Sequence, residues 1–350
     1  MSDRLLQEGG PHKITKVGQD HYSLSITIPT DEDGRIAREC HGGACSPGYF
    51  KVKSGTGITD AQEIAYCPYC RHSAAPSDFS TQEQQRYAKD IVLEEARQGV
   101  DRMFRNTLGL GASGSRKIGG GLVSIEMSVK STPKRSVQRP FEEEVRRDVV
   151  CPHCTLAHSV YGLATWCADC GEDIFLTHVQ AELAVVVMMV NDVPRRREAF
   201  GVRVAAKDLE NSLEDVVSIF EVVLRVLAKR HLLDHGDAVE EVEKIFKRIG
   251  NAFQNVQRTA EIFRQHFALD PFTVLASDER AFLEETFAKR HLITHNLGVV
   301  DRKYIDKART AEREGQEVLV SEIDILNAAD LSMRVFTEVH RRFFQSSPSP

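Results

Sequence analysis

The chain has 350 residues, 41% hydrophobic and 27% charged, with a formal net charge of −6 at neutral pH. This is the composition of a soluble globular protein long enough for two or three domains. Its acidic balance excludes any global attraction to nucleic acid, so a contact with a phosphate chain must come from local basic patches.

The first residues, MSDRLLQEGG, lack the apolar core of a signal peptide. The most apolar run, AELAVVVMMV (181–190), lies between Glu172 and Asp173 on one side and Asp192 and Arg195 to Arg197 on the other. It is shorter than the ~20 residues needed to span a bilayer. The expectation is a soluble, cytoplasmic protein with no membrane contact, in which the cysteines are not read as disulfides.

Up to about residue 175 the sequence is strand-like and rich in turns, with alternating stretches at 22–28 (YSLSITI), 48–55 (GYFKVKSG) and 121–131 (GLVSIEMSVKS). One helix interrupts them at 81–108, with Ser77 or Ser80 placed to cap it. All eight cysteines fall between Cys40 and Cys170. Cys151-x2-Cys154 and Cys167-x2-Cys170 form a zinc-ribbon pattern, because each Cys-x2-Cys turn offers two thiolates to one tetrahedral ion, and Gly171 helps the second turn. Cys67-x2-Cys70 is a third knuckle. Cys40-x4-Cys45 is looser and offers His41 as a competing ligand, but a second four-cysteine site leaves no cysteine over. Four thiolates saturate zinc, so two structural ions are expected, with no open position for a substrate water. His72, His153 and His158 lie beside the knuckles and are not needed as ligands.

GLGASG (109–114) matches a dinucleotide-binding glycine pattern but follows a helix and precedes a strand, the reverse of the required context, and reads as a flexible loop. Arg195 to Arg197 read as a solvated helix end.

Beyond residue 175 the pattern is helical. A helix ending at Pro194 is followed by others at 205–233, with its apolar stripe from Leu209 to Leu227, and at 237–267. A fourth opens near Ser277 and stops at Gly298, and a last one covers about 322–344. The fold class is therefore α+β. A zinc-binding β-rich module (1–175) leads through a connecting helix (176–204) to an all-α antiparallel bundle (205–345), ahead of a disordered tail (346–350).

Two stretches of the bundle nearly repeat each other, AKRHLLDH (228–235) and AKRHLITH (288–295), and the likeness ends outside that window, so they are not a duplicated domain. Helix-end charges suit the C-terminal dipole in both. The pairs His231/His235 and His291/His295 are also spaced to share a metal, though H-E-x-x-H fails in both and no carboxylates stand at matching positions.

RHLITH (290–295) resembles the Arg-x4–6-His motif of HEPN-domain proteins, and NLGVVDRKY (296–304) is similar to its continuation in HEPN proteins of bacterial defence and abortive-infection systems. The resemblance covers roughly 205–345. It implies a helical bundle that dimerises, bringing two motifs into one cleft, and a metal-independent endoribonuclease activity. Carried over, Arg290 is the phosphate clamp, His295 the acid/base and His291 a polar auxiliary. RNA is then the substrate, with a phage or host protein as a possible trigger and the zinc module as sensor or substrate-recognition part. Residues five apart on a straight helix stand about 140° apart, so Arg290 and His295 need a distorted helix or a shared dimer cleft. In 230–235 the family has no motif, and Gly236 with Asp237 marks a helix end. A different class of function fits the same modules: a non-catalytic zinc-ribbon adaptor dimerised by its bundle.

Overall fold

The computed structural model describes residues 6–19, 21–42, 45, 48–108, 110, 115–118, 125–128, 147–308 and 312–345, with backbone alone for 115–118, 125–128 and 307–308. The glycine-rich loop expected at 109–114 (Leu110 excepted) and the tail 346–350 lie outside the described residues. The chain divides into two compact units, Met1–Asp173 and Ile174–Pro350.

The first unit is built on one antiparallel sheet. It contains β3 (Arg35–Glu39), β4 (Tyr49–Lys53), β9 (Arg147–Val150) and β10 (Ala157–Val160), in the order β3-β4-β10-β9. At its centre β4 and β10 register His158 with Val52 and Val160 with Phe50. Each half of the sheet is a strand, a cysteine turn and a returning strand, so the order is two-fold in topology. Three separate two-stranded sheets complete the described strands: β1 (Thr15–Lys16) with β2 (Tyr22–Ser23), β5 (Ala65–Tyr66) with β6 (Ser73–Ala74), and β7 (Ser115–Ile118) with β8 (Ile125–Ser128). The strand expected over 22–28 shrinks to β2. Its alternation continues, but no strand lies beside the rest of it among the described residues.

The helix α1 (Gln82–Thr107) is capped by Thr81, not by Ser77 or Ser80. The Thr81 hydroxyl accepts from the Gln84 backbone N–H, and the Gln84 side chain accepts from that of Thr81. Gln84 also donates to the Ala37 carbonyl at 2.8 Å, which fastens the helix start to β3. Ser80 turns its hydroxyl back to the Ser77 carbonyl.

The second unit holds α2 (Phe175–Phe200), α3 (Val202–Asp234), α4 (Val239–Ile249), α5 (Val256–Phe267), α6 (Ser277–Asn296), α7 (Arg302–Ala308) and α8 (Glu322–His340), closed by a π-helical turn at Arg341–Gln345. The central helix is α3, which packs against α2, α4, α6 and α8. Its Phe220 is fully buried among Phe272, Phe287 and Phe336, with ring centroids 5.0–6.2 Å away.

Two expectations are corrected here. The helix over 176–204 does not merely connect: α2 buries Val179, Leu183, Val186, Val190 and Val193 and packs along α3 and α8. Nor does it stop at Pro194, which sits exposed inside the helix. A proline removes one N–H but its φ suits a helix, and the turn beyond it is held by Arg195 on Asp192 and Arg196 on Asp208. By length and composition, α2 is the one described helix that could cross a membrane, and 33% of its apolar window is buried.

The single long helix expected over 237–267 is two helices. It breaks at Gly250, whose φ of 55° with ψ of −126° only glycine adopts readily. A 3-10 turn, Ala252–Gln254, follows, and Asn255 restarts the helix by accepting from the Arg258 N–H at 2.9 Å.

Candidate metal centres and a candidate phosphate-binding cavity

Cys40, Cys45, Cys67 and Cys70 form one group and Cys151, Cys154, Cys167 and Cys170 another, each with its four sulfurs within 4.8 Å of one another. Cross-turn Sγ separations are 3.7 Å (Cys40–Cys70), 3.5 Å (Cys45–Cys67), 3.8 Å (Cys151–Cys170) and 3.5 Å (Cys154–Cys167). A tetrahedron with Zn–S bonds of about 2.3 Å has edges of about 3.8 Å, so both groups are compatible with structural zinc.

The backbone repeats one device four times. The first sulfur of each turn (Cys40, Cys67, Cys151, Cys167) receives the N–H of the residue two further on, at 3.4–3.5 Å. In the three Cys-x2-Cys turns the chain then turns back through a positive φ at Arg71 (61°), Thr155 (65°) and Gly171 (68°). Gly171 answers a further demand, since a Cβ there would stand 3.0 Å from the Tyr66 ring. Burial pushes the Cys45 and Cys170 thiols up to about 12 and raises those of Cys67 and Cys167. A divalent cation is what would hold such sulfurs as thiolates. His41 bonds the Ser80 carbonyl through Nε2 at 3.0 Å and is not part of the ligand set.

The two centres are tied together. Tyr66 donates its N–H to the Ala168 carbonyl at 2.8 Å, and Thr165 and Trp166 donate to the Pro68 carbonyl at 2.8 and 3.1 Å. The Arg71 guanidinium lies 4.3 Å over the Trp166 ring. With all four positions of a bound ion taken by thiolates, such centres would hold structure and leave no site for a reacting water.

In the helical unit, the break between α4 and α5 opens a cavity of about 320 Å3. Asn251, Gln254 and Asn255 line it from the break, Arg258 from α5, Arg290 and His291 from α6, and Asp301, Lys303 and Tyr304 from the start of α7. The Arg290 guanidinium donates to Gln254 Oε1 at 2.9 Å. Gln254 presents that oxygen because its amide nitrogen is committed to Glu221 at 2.5 Å, and Glu221 in turn holds Arg225 at 2.8 Å. Arg290 is thus oriented by a neutral oxygen, and no carboxylate pairs with it among the described residues.

His295 is placed differently. The helix α6 is continuous through Asn296, and His295 is not among the cavity-lining residues but stands exposed, its ring centroid 4.8 Å from that of His291. The structure therefore brings Arg290 and His291 together and leaves His295 one turn away. Between them Thr294 bonds Glu214 of α3 at 3.2 Å.

The upstream copy lies elsewhere. His235 caps α3 and Gly236 follows at φ 91°, so that stretch is a helix end. His231 stacks on Phe343 with centroids 4.0 Å apart, and Arg230 lies 3.9 Å over Phe344. Neither lines the cavity. Among the described residues, only the two cysteine groups gather three or more possible metal ligands, and neither histidine pair belongs to such a group.

No family model matches the chain, and no curated protein or solved structure shows significant similarity to it.

Proposed function

We propose that the helical unit is a metal-independent endoribonuclease, of the type that its Arg-x4–6-His resemblance implies for bacterial defence or stress systems. The observation that supports this most is the setting of Arg290, fixed by Gln254 on the wall of a half-polar cavity with His291 beside it. RNA carries its own nucleophile, so the protein must supply only charge and proton transfer. Arg290 clamps the phosphate and stabilises charge that accumulates on it. One imidazole takes the proton of the 2′-hydroxyl as the 2′-oxygen bonds to phosphorus, and the other protonates the 5′-oxygen as the P–O5′ bond breaks. The products are a 2′,3′-cyclic phosphate and a 5′-hydroxyl. His291 acts in the cavity. His295, against it, is the second acid/base, from the same chain or from a partner copy across a dimer cleft. The zinc centres take no part in the chemistry, and their module senses a trigger or selects the RNA.

Arg290→Ala, His291→Ala and His295→Ala are each expected to lower RNA cleavage by at least a hundredfold, the range of a lost acid/base or charge-stabilising group. Full activity in all three would take the chemistry away from these residues, and no cleavage by the wild type would leave the adaptor reading, with the bundle as a dimerising unit.

A further inference from the structure

The cavity has more positive charge than one scissile phosphate requires. Three cations from three separate elements line it: Arg258 of α5, Arg290 of α6 and Lys303 of α7. One carboxylate, Asp301, stands against them, and its Oδ1 is taken by the Tyr304 N–H at 2.7 Å. Other cations of the same three helices are paired: Arg264 and Arg280 with Asp270, Lys289 with Glu285, Arg302 with Asp306. Arg258 and Lys303 are exposed, and neither pairs with a carboxylate among the described residues. Arg258 also sits in the first turn of α5, whose N-terminal N–H groups add partial positive charge at the same wall. In a chain of net charge −6, this is a local basic patch of the sort that a phosphate chain needs.

Size decides what these charges can hold. About 320 Å3 is at the lower end of small-ligand pockets and suits one nucleotide, not a chain. We propose that Arg258 and Lys303 form a second phosphate subsite, which takes the phosphate next to the one on Arg290, so that the substrate is single-stranded RNA spanning at least two consecutive phosphates. Single strands are favoured because unstacked nucleotides can enter a cavity that a duplex cannot. The inference rests on the ribonuclease reading for the role of Arg290, and on the unpaired cations alone for the subsite.

The test is equilibrium binding of a short, fluorescently labelled single-stranded RNA, 2′-O-methylated throughout so that it cannot be cut, measured against salt concentration. Arg258→Ala and Lys303→Ala are each expected to weaken binding several-fold and to reduce the slope of log affinity against log salt by about 0.7, the value for one phosphate contact on a single strand. Arg258→Lys keeps most of the slope. Binding of AMP, which has one phosphate, is unchanged in both alanine variants. Slopes that stay at the wild-type value in both overturn the subsite, even if unmodified RNA is cleaved. Wild-type binding with the expected slopes, but no cleavage of unmodified RNA, overturns the ribonuclease reading and leaves the subsite standing. Failure of the wild type to bind the RNA overturns both.

Discussion

His231 and His291 occupy matching places in two nearly identical stretches, yet one ring is half-buried against Phe267, Phe343 and His235 and the other lines a cavity of mixed polar and apolar groups. The difference comes from what faces each helix: Phe267 and Phe343 beside His231, the turn around Gln254 beside His291. Burial, with a smaller contribution from the nearby His235, holds the His231 imidazole below the usual value, while Asp234 and Asp237 act in the opposite sense. The unfolded chain therefore takes up the proton first as pH falls through about 6.5. Stability falls with pH from there until the folded-state value is passed, where the loss is complete. The thermal midpoint should drop between about pH 7.5 and 5.5, and His231→Phe, which preserves the stacking on Phe343, should reduce that drop. An equal drop in both proteins would mean that His231 is not its source.

At the scale of elements, the break between α4 and α5 makes the site. A continuous helix over 237–267 would remove the turn that carries Asn251, Gln254 and Asn255, and with it one wall of the cavity. The apolar pattern hides this break, because Val242, Phe246, Phe253, Val256 and Phe263 are all buried on both sides of it. The signal that was present is chemical: Gly250-Asn251 at the stop and Asn255 at the restart. Gly250→Ala is expected to destabilise the protein by about 1–3 kcal/mol, the cost of a side chain in that backbone region. The urea midpoint should fall without a change in slope. An unchanged midpoint would show that the turn does not need glycine. Helices with strong periodicity, such as α3 with its stripe from Leu209 to Leu227, were legible within a few residues. The end of α2 was not, since its pairs with Asp192 and Asp208 carry the helix past Pro194.

At the scale of the whole molecule, the cysteine ligands were the most legible part of the sequence, because a Cys-x2-Cys turn is written in four consecutive residues. The sheet that carries them was not: β4 and β10 lie about a hundred residues apart and meet only in three dimensions. The same limit hid Arg258, which neighbours Arg290 in space but belongs to no motif with it, whereas Lys303 lies in the stretch 296–304 that resembles the motif's continuation. Two zinc ions per chain are expected by elemental analysis. Their removal by a strong chelator should unfold the first unit, since its ligand turns belong to β3, β9 and their neighbours, while the helical far-ultraviolet signal of the second unit persists. Loss of both signals together would show that the second unit depends on the metal-bearing one.

On the proposed mechanism, Arg290 and its cavity cut RNA without a catalytic metal. The most direct test incubates single-stranded RNA with the zinc-loaded protein, without added divalent ions and with enough EDTA to bind free ones, and analyses the new termini. Cleavage that leaves 2′,3′-cyclic phosphates and 5′-hydroxyls, and is lost in Arg290→Ala of unchanged thermal stability, is the predicted result. No cleavage by the wild type, or equal cleavage by Arg290→Ala, would contradict it.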